Sequence, residues 1–146
     1  PARETSPEQV PEAVFAGFQT GPDLGRAVAS MDIFLNPSVT ETFGNVTLEA
    51  MACGLPVVAA VASRATSLVQ NNVTGMLSEP GDIDAFAESL SRYQRDPALR
   101  AKHGAAGLEF AKTMDWDEIN AAVMHVYERV IERRHRLNRL RRVSRP

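Results

Sequence analysis

Two short apolar runs separated by a helix-forming segment constrain the fold of this chain more than any other feature. The runs are residues 33–36 and 56–60, and the segment between them, residues 45–53, ends at Gly54, a residue favoured just after a helix. Pro37 stops the first run. Both runs lack the apolar/polar alternation of half-exposed strands, which is typical of strands buried on both faces. The order strand, loop, helix, strand predicts an α/β fold with a parallel sheet, because parallel strands need a crossover helix.

Further elements follow from the same local signals. Two more strands are predicted, a buried one at residues 13–18 and another at residues 75–78 after the turn-forming pair Asn71-Asn72. Helices are predicted at residues 23–31, 66–70, 82–95, 97–113 and 116–142. The proline-rich residues 1–12 predict a loop or disordered lead-in. We therefore expect one domain over residues 13–131, followed by a basic tail over residues 132–146.

The bulk properties of the chain set broad limits. Its single cysteine, Cys53, allows no internal disulfide and no thiol pair for a metal, which is usual in a reducing compartment. No apolar run reaches the roughly 18 to 20 residues of a membrane span, and the longest, residues 55–61, is broken by Pro56. We expect a soluble, cytoplasmic protein. The chain starts at Pro1 without a targeting signal, so we also expect the natural protein to be longer.

Charge is distributed unevenly along the chain. The net charge is −2, yet residues 129–146 contain eight arginines and one glutamate, a net +7, while residues 1–128 carry −9. An apolar stripe in the last predicted helix thins out where these arginines begin. The stripe consists of Ile119, Ala122, Val123, Val126, Val130 and Ile131. The basic end is either a patch for anionic lipid headgroups or acidic partners, or a solvated helix end whose cations suit the helix dipole; the sequence alone favours the second.

Two carboxylates carry the functional signal. The segment at residues 45–53 is apolar on nearly all sides, which predicts a buried helix, so Glu49 is expected to be buried and to need hydrogen-bond donors. No lysine or arginine lies between Arg26 and Arg64 to supply them. Glu41 precedes the helix, in a loop where Gly44 permits close approach of a ligand. A ligand with hydroxyl groups and a diphosphate, such as a sugar nucleotide, would satisfy both carboxylates and the positive end of the helix.

Two other interpretations of these carboxylates stay open on the residues alone. Glu49 could cap or pair within the fold while Glu41 is a solvated loop residue. Alternatively, the pair could be the acid and nucleophile of a glycoside hydrolase. The second is disfavoured, because a carboxylate on a buried crossover helix is poorly placed to straddle a glycosidic bond.

The block NPSVTETFGNVTLEAMACGLPVVAA resembles the signature block of family-4 retaining glycosyltransferases, which have the GT-B architecture. Its wording is most similar to mannosyltransferases that use GDP-mannose, although enzymes that use UDP-glucose share nearly the same block. Glu41 and Glu49 stand at the family's spacing of two glutamates separated by seven residues. Weaker similarity extends over residues 13–131. The matching positions are Pro37, Ser38, Glu41, Phe43, Gly44, Glu49, Ala50, Met51, Ala52, Gly54, Pro56, Val57 and Val58.

The resemblance implies a fold, an activity and roles for particular residues. The fold would be part of the Rossmann-like C-terminal domain that binds the donor, a nucleoside-diphosphate sugar such as GDP-mannose or UDP-glucose. The activity would be transfer of a hexose with retention of its anomeric configuration. No metal or other cofactor would be required. Glu49 would bind the ribose hydroxyls and Glu41, the candidate catalytic residue, the transferred sugar. The remaining assignments are backbone amides of Phe43, Gly44 and Asn45 at the sugar and diphosphate, Val46 and Leu48 in the nucleoside pocket, and Phe18 and Gln19 near the base.

The chain also departs from the family pattern. It starts too late to contain two earlier strands, a basic pair that clamps the diphosphate, and the N-terminal domain with the acceptor site, so this part alone is expected to be inactive. Ala62-Ser63-Arg64-Ala65 replaces a glycine-rich turn, and Arg64 is expected at the surface. His103, His125 and His135 match no family motif and are expected on helix surfaces. A non-catalytic module for nucleotide-sugar sensing or oligomerisation is the alternative function.

Overall fold

The computed structural model describes residues 8, 10–40, 44–61, 65–114 and 116–143. Strands and helices alternate up to β3, and helices follow it. The elements are α1 (Gly21–Ala29), β1 (Phe34–Asn36), α2 (Asn45–Ala52), β2 (Val57–Ala60), α3 (Ala65–Leu68), β3 (Gly75–Ser78), α4 (Ile83–Arg95), α5 (Pro97–Lys112) and α6 (Trp116–Val143). No helix in these ranges is both long enough and apolar enough to cross a bilayer.

The three strands form one parallel sheet in the order β1-β2-β3. Phe34 pairs with Val57, and Val57 pairs with Gly75, so neighbouring strands start in register. Every residue of the central strand β2 is buried. The parallel sheet expected from the two apolar runs is confirmed, with α2 as the crossover helix from β1 to β2.

Side chains from the two faces of β2 enter two separate apolar clusters. Val57 and Ala59 pack with Met51 of α2 and with residues of α1 and α3. Val58, which points the other way, packs with Met76 and with Tyr93 of α4. Because successive side chains of a strand alternate between faces, one buried strand holds helices on both sides of the sheet. The domain is therefore layered helix, sheet, helix, as α/β folds are.

Helix α5 packs closely against the end of α2. A Cβ atom added to Gly104 would lie 2.1 Å from the carbonyl oxygen of Gly54, far inside van der Waals contact. Gly54 itself has φ +74°, the left-handed conformation expected of a residue just beyond a helix C-terminus. Glycine at position 104 therefore lets α5 approach the α2 terminus more closely than any side chain would permit.

A buried hydrogen-bonded pair connects α4 to α5. The Tyr93 hydroxyl lies 2.7 Å from Nδ1 of His103, and the two side chains are 0% and 1% exposed. Burial raises the pKa of the Tyr93 phenol well above its usual range. Burial also lowers the pKa of His103, with Lys102 and Arg92 acting in the same direction. The prediction that His103 lies on a helix surface is therefore wrong, because its side chain faces Tyr93 rather than solvent.

The predicted strand at residues 13–18 is also not found. These residues form no strand, and Val14 and Phe18 are 94% and 95% exposed. An apolar run indicates that a segment favours burial, but it does not specify the segment against which it packs. No described element covers residues 13–18. His125, by contrast, is exposed as expected, and the side chain of His135 lies outside the described part of the structure.

Candidate functional site

The candidate site lies where β1 ends and α2 begins. Since the strands are parallel, the carboxyl ends of β1 and β2 lie at one edge of the sheet, the edge where open α/β sheets bind ligands. The connection from β1 to α2 covers residues 37–44. Two predicted site residues in it, Glu41 and Phe43, lie outside the described residues.

A side-chain hydrogen bond joins the end of β1 to the first turn of α2. The amide Nδ2 of Asn36 donates to Oγ1 of Thr47 at 3.1 Å, and Thr47 is fully buried. Oδ1 of the same Asn36 accepts from the backbone amide of Ser38 at 3.2 Å, which directs the chain as it leaves the strand. Asn36 thus positions both the connection and the helix start, a role that the sequence analysis did not identify.

The amino terminus of α2 has the features of an anion site. Gly44 takes the N-cap position with φ +74° and ψ +15°, is buried, and supplies no side-chain cap. The first turn of α2 contains no acidic residue that would neutralise the positive end of the helix dipole. Backbone amides at such a helix start bind phosphate groups well. Glycine suits position 44 because the backbone there is left-handed, a conformation that residues with a side chain rarely adopt.

Glu49 is exposed, and the prediction that it is buried is wrong. Helix α2 buries Thr47, Ala50 and Met51 against the sheet, whereas Val46 and Glu49, which are three residues apart, share its exposed side. Although the sequence of α2 is apolar on nearly all sides, only the side that faces the sheet is buried. The carboxylate is solvated in this structure and free to accept hydrogen bonds from a ligand lying along the helix.

Apolar side chains surround this edge of the sheet. Val39 follows β1, Val46 lies in the first turn of α2, and Val61 follows β2; they are 51%, 47% and 37% exposed. Leu48, the other residue predicted for the nucleoside pocket, is half-buried. The surface next to the helix start therefore combines apolar contacts with backbone amides and one carboxylate.

The remaining predicted positions lie outside the segment from β1 to α2. Phe18 is exposed, and Gln19 is half-buried just before α1. Arg64 lies outside the described residues. Within the described ranges, no group of three or more His, Cys, Asp and Glu side chains is arranged to hold a metal ion.

A separate open cleft of about 590 Å³ lies at the opposite edge of the sheet, near the residues preceding β1. Its charged groups are engaged with the protein itself. Arg100 donates to the carbonyl oxygen of Tyr93 at 3.3 Å and lies 3.8 Å from a carboxylate oxygen of Asp32. This cleft is therefore a poorer candidate than the carboxyl edge.

Comparison with known proteins places the chain in a family. The profile of the family described as "Glycosyl transferases group 1" matches residues 2–96. A D-inositol 3-phosphate glycosyltransferase of Salinispora tropica is 39% identical over 121 residues, which cover 82% of this chain and 25% of that protein. A phosphatidyl-myo-inositol mannosyltransferase of Mycobacterium leprae is 37% identical over 111 residues, covering 74% of this chain and 30% of that protein.

A solved structure agrees with the sequence relatives. The Anabaena protein HepE, in complex with UDP, is 30% identical with a TM-score of 0.77 over 83% of this chain and 33% of its own. The same protein in complex with UDP-glucose gives a TM-score of 0.72.

The chain belongs to the group 1 glycosyltransferases, and its α/β fold is part of the GT-B architecture. The predicted resemblance is thereby confirmed at the level of family and fold. The chain spans about a quarter to a third of the length of these relatives.

Proposed function

We propose that this chain is the donor-binding part of a retaining glycosyltransferase that transfers a hexose from a nucleoside-diphosphate sugar to an acceptor. The observation that carries the proposal is the start of α2, which has no side-chain cap and lies at the same edge of the sheet as the carboxyl end of β1, with Glu49 exposed on the same helix. The family membership supports it, as does the likeness to a protein solved with UDP and with UDP-glucose.

The diphosphate is assigned to the helix start. Backbone amides of Phe43, Gly44 and Asn45, together with the α2 dipole, would stabilise negative charge there. This charge grows as the sugar leaves, so donors already fixed in place stabilise the transition state more than the ground state. The hydrogen bond from Asn36 to Thr47 supports this role by fixing the helix start to the rigid sheet.

The ribose is assigned to Glu49. An ionised carboxylate accepts hydrogen bonds at both oxygens, which suits the two neighbouring hydroxyls of a ribose. Val46, one turn earlier on the same exposed side, and Leu48 would contact the nucleoside, and Phe18 and Gln19 would lie near the base. Glu41 would contact the transferred sugar, which makes it the candidate catalytic residue.

Titration of the full-length protein with UDP and GDP tests the ribose assignment. Glu49→Gln keeps the size of the side chain but removes its charge, and hydrogen bonds to charged groups contribute about 1.5–3 kcal/mol, so affinity should fall roughly 10- to 100-fold. The matched control is Glu109→Gln on the exposed surface of α5, which should bind as the unmodified protein does.

Comparison with 2′-deoxy nucleotides makes the test specific for ribose. The unmodified protein should bind the 2′-deoxy nucleotide more weakly than the ribonucleotide. The Glu49→Gln variant should bind the two nucleotides with nearly the same affinity. Equal losses in both proteins would show that Glu49 does not contact the ribose. The preference between the guanine and uracil nucleotides follows from the same titrations, and repeating them with GDP-mannose and UDP-glucose gives the preference between donors. Donor binding without sugar transfer by the full-length protein would favour a nucleotide-sugar sensor instead.

A further inference from the structure

The last turn of α2, which carries Glu49, is packed against α5. The backbone amide of Cys53 donates to the carbonyl oxygen of Glu49 at 3.1 Å, and Gly54 follows directly. Helix α5 lies on this turn, since a Cβ atom at Gly104 would overlap the carbonyl oxygen of Gly54. Because protein interiors are close-packed, a movement of α5 would displace the backbone that carries Glu49.

The two ends of α2 are held by different parts of the domain. A Cβ atom at Gly107, one turn after Gly104 on α5, would lie 3.6 Å from Cγ of Met51, which is fully buried. The end of α2 therefore takes its position from α5. The start of α2 takes its position from the hydrogen bond between Asn36 and Thr47.

His103 precedes Gly104 and connects α5 to α4. Its Nδ1 lies 2.7 Å from the hydroxyl of Tyr93, and the two side chains are almost completely buried. Arg100, three residues before His103, donates to the carbonyl oxygen of Tyr93 at 3.3 Å and brings a positive charge to the same side of α5. Both contacts meet at Tyr93, so the position of α5 depends on the pair that His103 and Tyr93 form.

We infer that neutral His103 is a positioning residue for donor binding, because it keeps α5 against the turn of α2 that carries Glu49. The inference rests on the proposed function, since it takes Glu49 as the contact for the ribose. Protonation of His103 would place a charge in a contact closed to solvent, and α4 and α5 would have to separate to hydrate it. The last turn of α2 would move with α5, and the affinity for a nucleoside-diphosphate sugar would fall in mild acid.

The groups around His103 disfavour its protonation. Burial lowers the pKa of His103, and the positive charges of Lys102 on α5 and Arg92 on α4 act in the same direction. The backbone of Asn72, in the turn before β3, acts in the opposite direction. On the side of α2 the contact is made by a glycine, which has no side chain. Burial raises the pKa of Tyr93 well above its usual range, so its hydroxyl stays neutral in mild acid.

Calorimetric titration of the full-length protein with UDP-glucose and with GDP-mannose across this pH range tests the inference. Both phosphates of these donors are esterified, whereas the terminal phosphate of free UDP titrates near about pH 6 and would confuse the result. Affinity for the donor that binds should fall roughly 3- to 10-fold between about pH 7.5 and about pH 5.5, since one proton changes an affinity by at most about tenfold per pH unit. Circular dichroism verifies that the protein is folded at each pH.

Two variants separate His103 from other groups that titrate. His103→Asn keeps hydrogen-bonding atoms near the position of Nδ1 but does not titrate, so its affinity should change much less with pH. Lys102→Gln, at an exposed position, removes a positive charge that opposes protonation of His103, so the fall in affinity should move to higher pH. Any pH dependence that comes from Glu49 or from the donor itself remains in both variants. A purely structural role of His103 would not make the pH profile depend on Lys102.

The loss should be concentrated at the ribose, because the start of α2 is held separately. The unmodified protein should therefore discriminate less in acid between the donor and its 2′-deoxy analogue. Donor binding with equal pH profiles in the unmodified protein and His103→Asn, or with a profile that Lys102→Gln does not move, would overturn the inference and leave the proposed function standing. The Lys102→Gln comparison is sufficient if His103→Asn does not fold. Failure of both donors to bind at about pH 7.5 would instead contradict the proposed function itself.

Discussion

The hydroxyl of Tyr93 and Nδ1 of His103 form a buried hydrogen bond of 2.7 Å between α4 and α5, with the two rings nearly perpendicular at 88°. Burial, Lys102 and Arg92 lower the pKa of the imidazole, and an opposing interaction with the backbone of Asn72 does not outweigh them. The pair holds His103, a histidine whose pKa is lowered, at the contact between the two helices.

The stability of the fold should fall in mild acid because of His103. Its pKa is lowered in the folded state, chiefly by burial, so the unfolded chain binds a proton more readily than the folded one. The contribution of neutral His103 to the free energy of unfolding is therefore complete above about pH 6.5, the usual histidine pKa. It is lost as the pH falls toward and through the pKa of His103 in the folded state. Urea unfolding across this range should show the decrease. His103→Gln should flatten this part of the profile.

Tyr93→Phe should destabilise the protein by about 1–3 kcal/mol. The change keeps the buried ring but leaves Nδ1 of His103 without its hydrogen-bond partner, and a buried polar atom without a partner costs about that much. Tyr127→Phe is the matched control, because its side chain is 60% exposed and surface changes usually stay within about 0.5 kcal/mol. Chemical denaturation of both variants measures the difference. A Tyr93→Phe variant as stable as the control would show that the hydrogen bond contributes nothing net.

Gly104→Ala should be destabilising, and Gly25→Ala should be stabilising. A Cβ atom at Gly104 would overlap the backbone of Gly54, so α5 must move, at a cost of about 1–3 kcal/mol or more. A Cβ atom at Gly25 in α1 meets nothing within 4 Å, so alanine there should add about 0.5–1 kcal/mol through helix propensity. Thermal unfolding of the two variants should shift in opposite directions. A shift in the same direction would contradict the close packing of α5 on the α2 terminus.

Local sequence signals predicted the sheet well and its surroundings less well. The strand at residues 75–78 and the helix that ends before Gly54 were identified because turn residues, a helix C-terminus signal and apolar runs are local properties. Residues 13–18 share the apolar signal yet form no strand, since pairing depends on distant segments. The burial of His103 could not be predicted for a similar reason, because its partner Tyr93 lies on another helix.

The candidate site shows the same division between local and distant information. The loop-to-helix transition at Gly44 and Asn45 could be predicted from the sequence, and the structure confirms it. The exposure of Glu49 could not, because it depends on which side of α2 the sheet covers. The role of Asn36 was also hidden, since its partner Thr47 lies eleven positions further along the chain.

Thr47→Val should weaken nucleotide binding as well as lower the stability of the protein. Valine has nearly the shape of threonine but cannot accept the hydrogen bond from Asn36, so the end of β1 and the start of α2 lose their direct link. We expect a loss of about 0.5–1.5 kcal/mol in stability. UDP affinity should fall several-fold, because the amides at the helix start would be less well fixed. Thr113→Val, at an exposed position after α5, is the control and should bind UDP normally. Calorimetric titration of both variants decides the matter, since unchanged affinity in Thr47→Val would show that the start of α2 does not need Asn36 to hold the diphosphate.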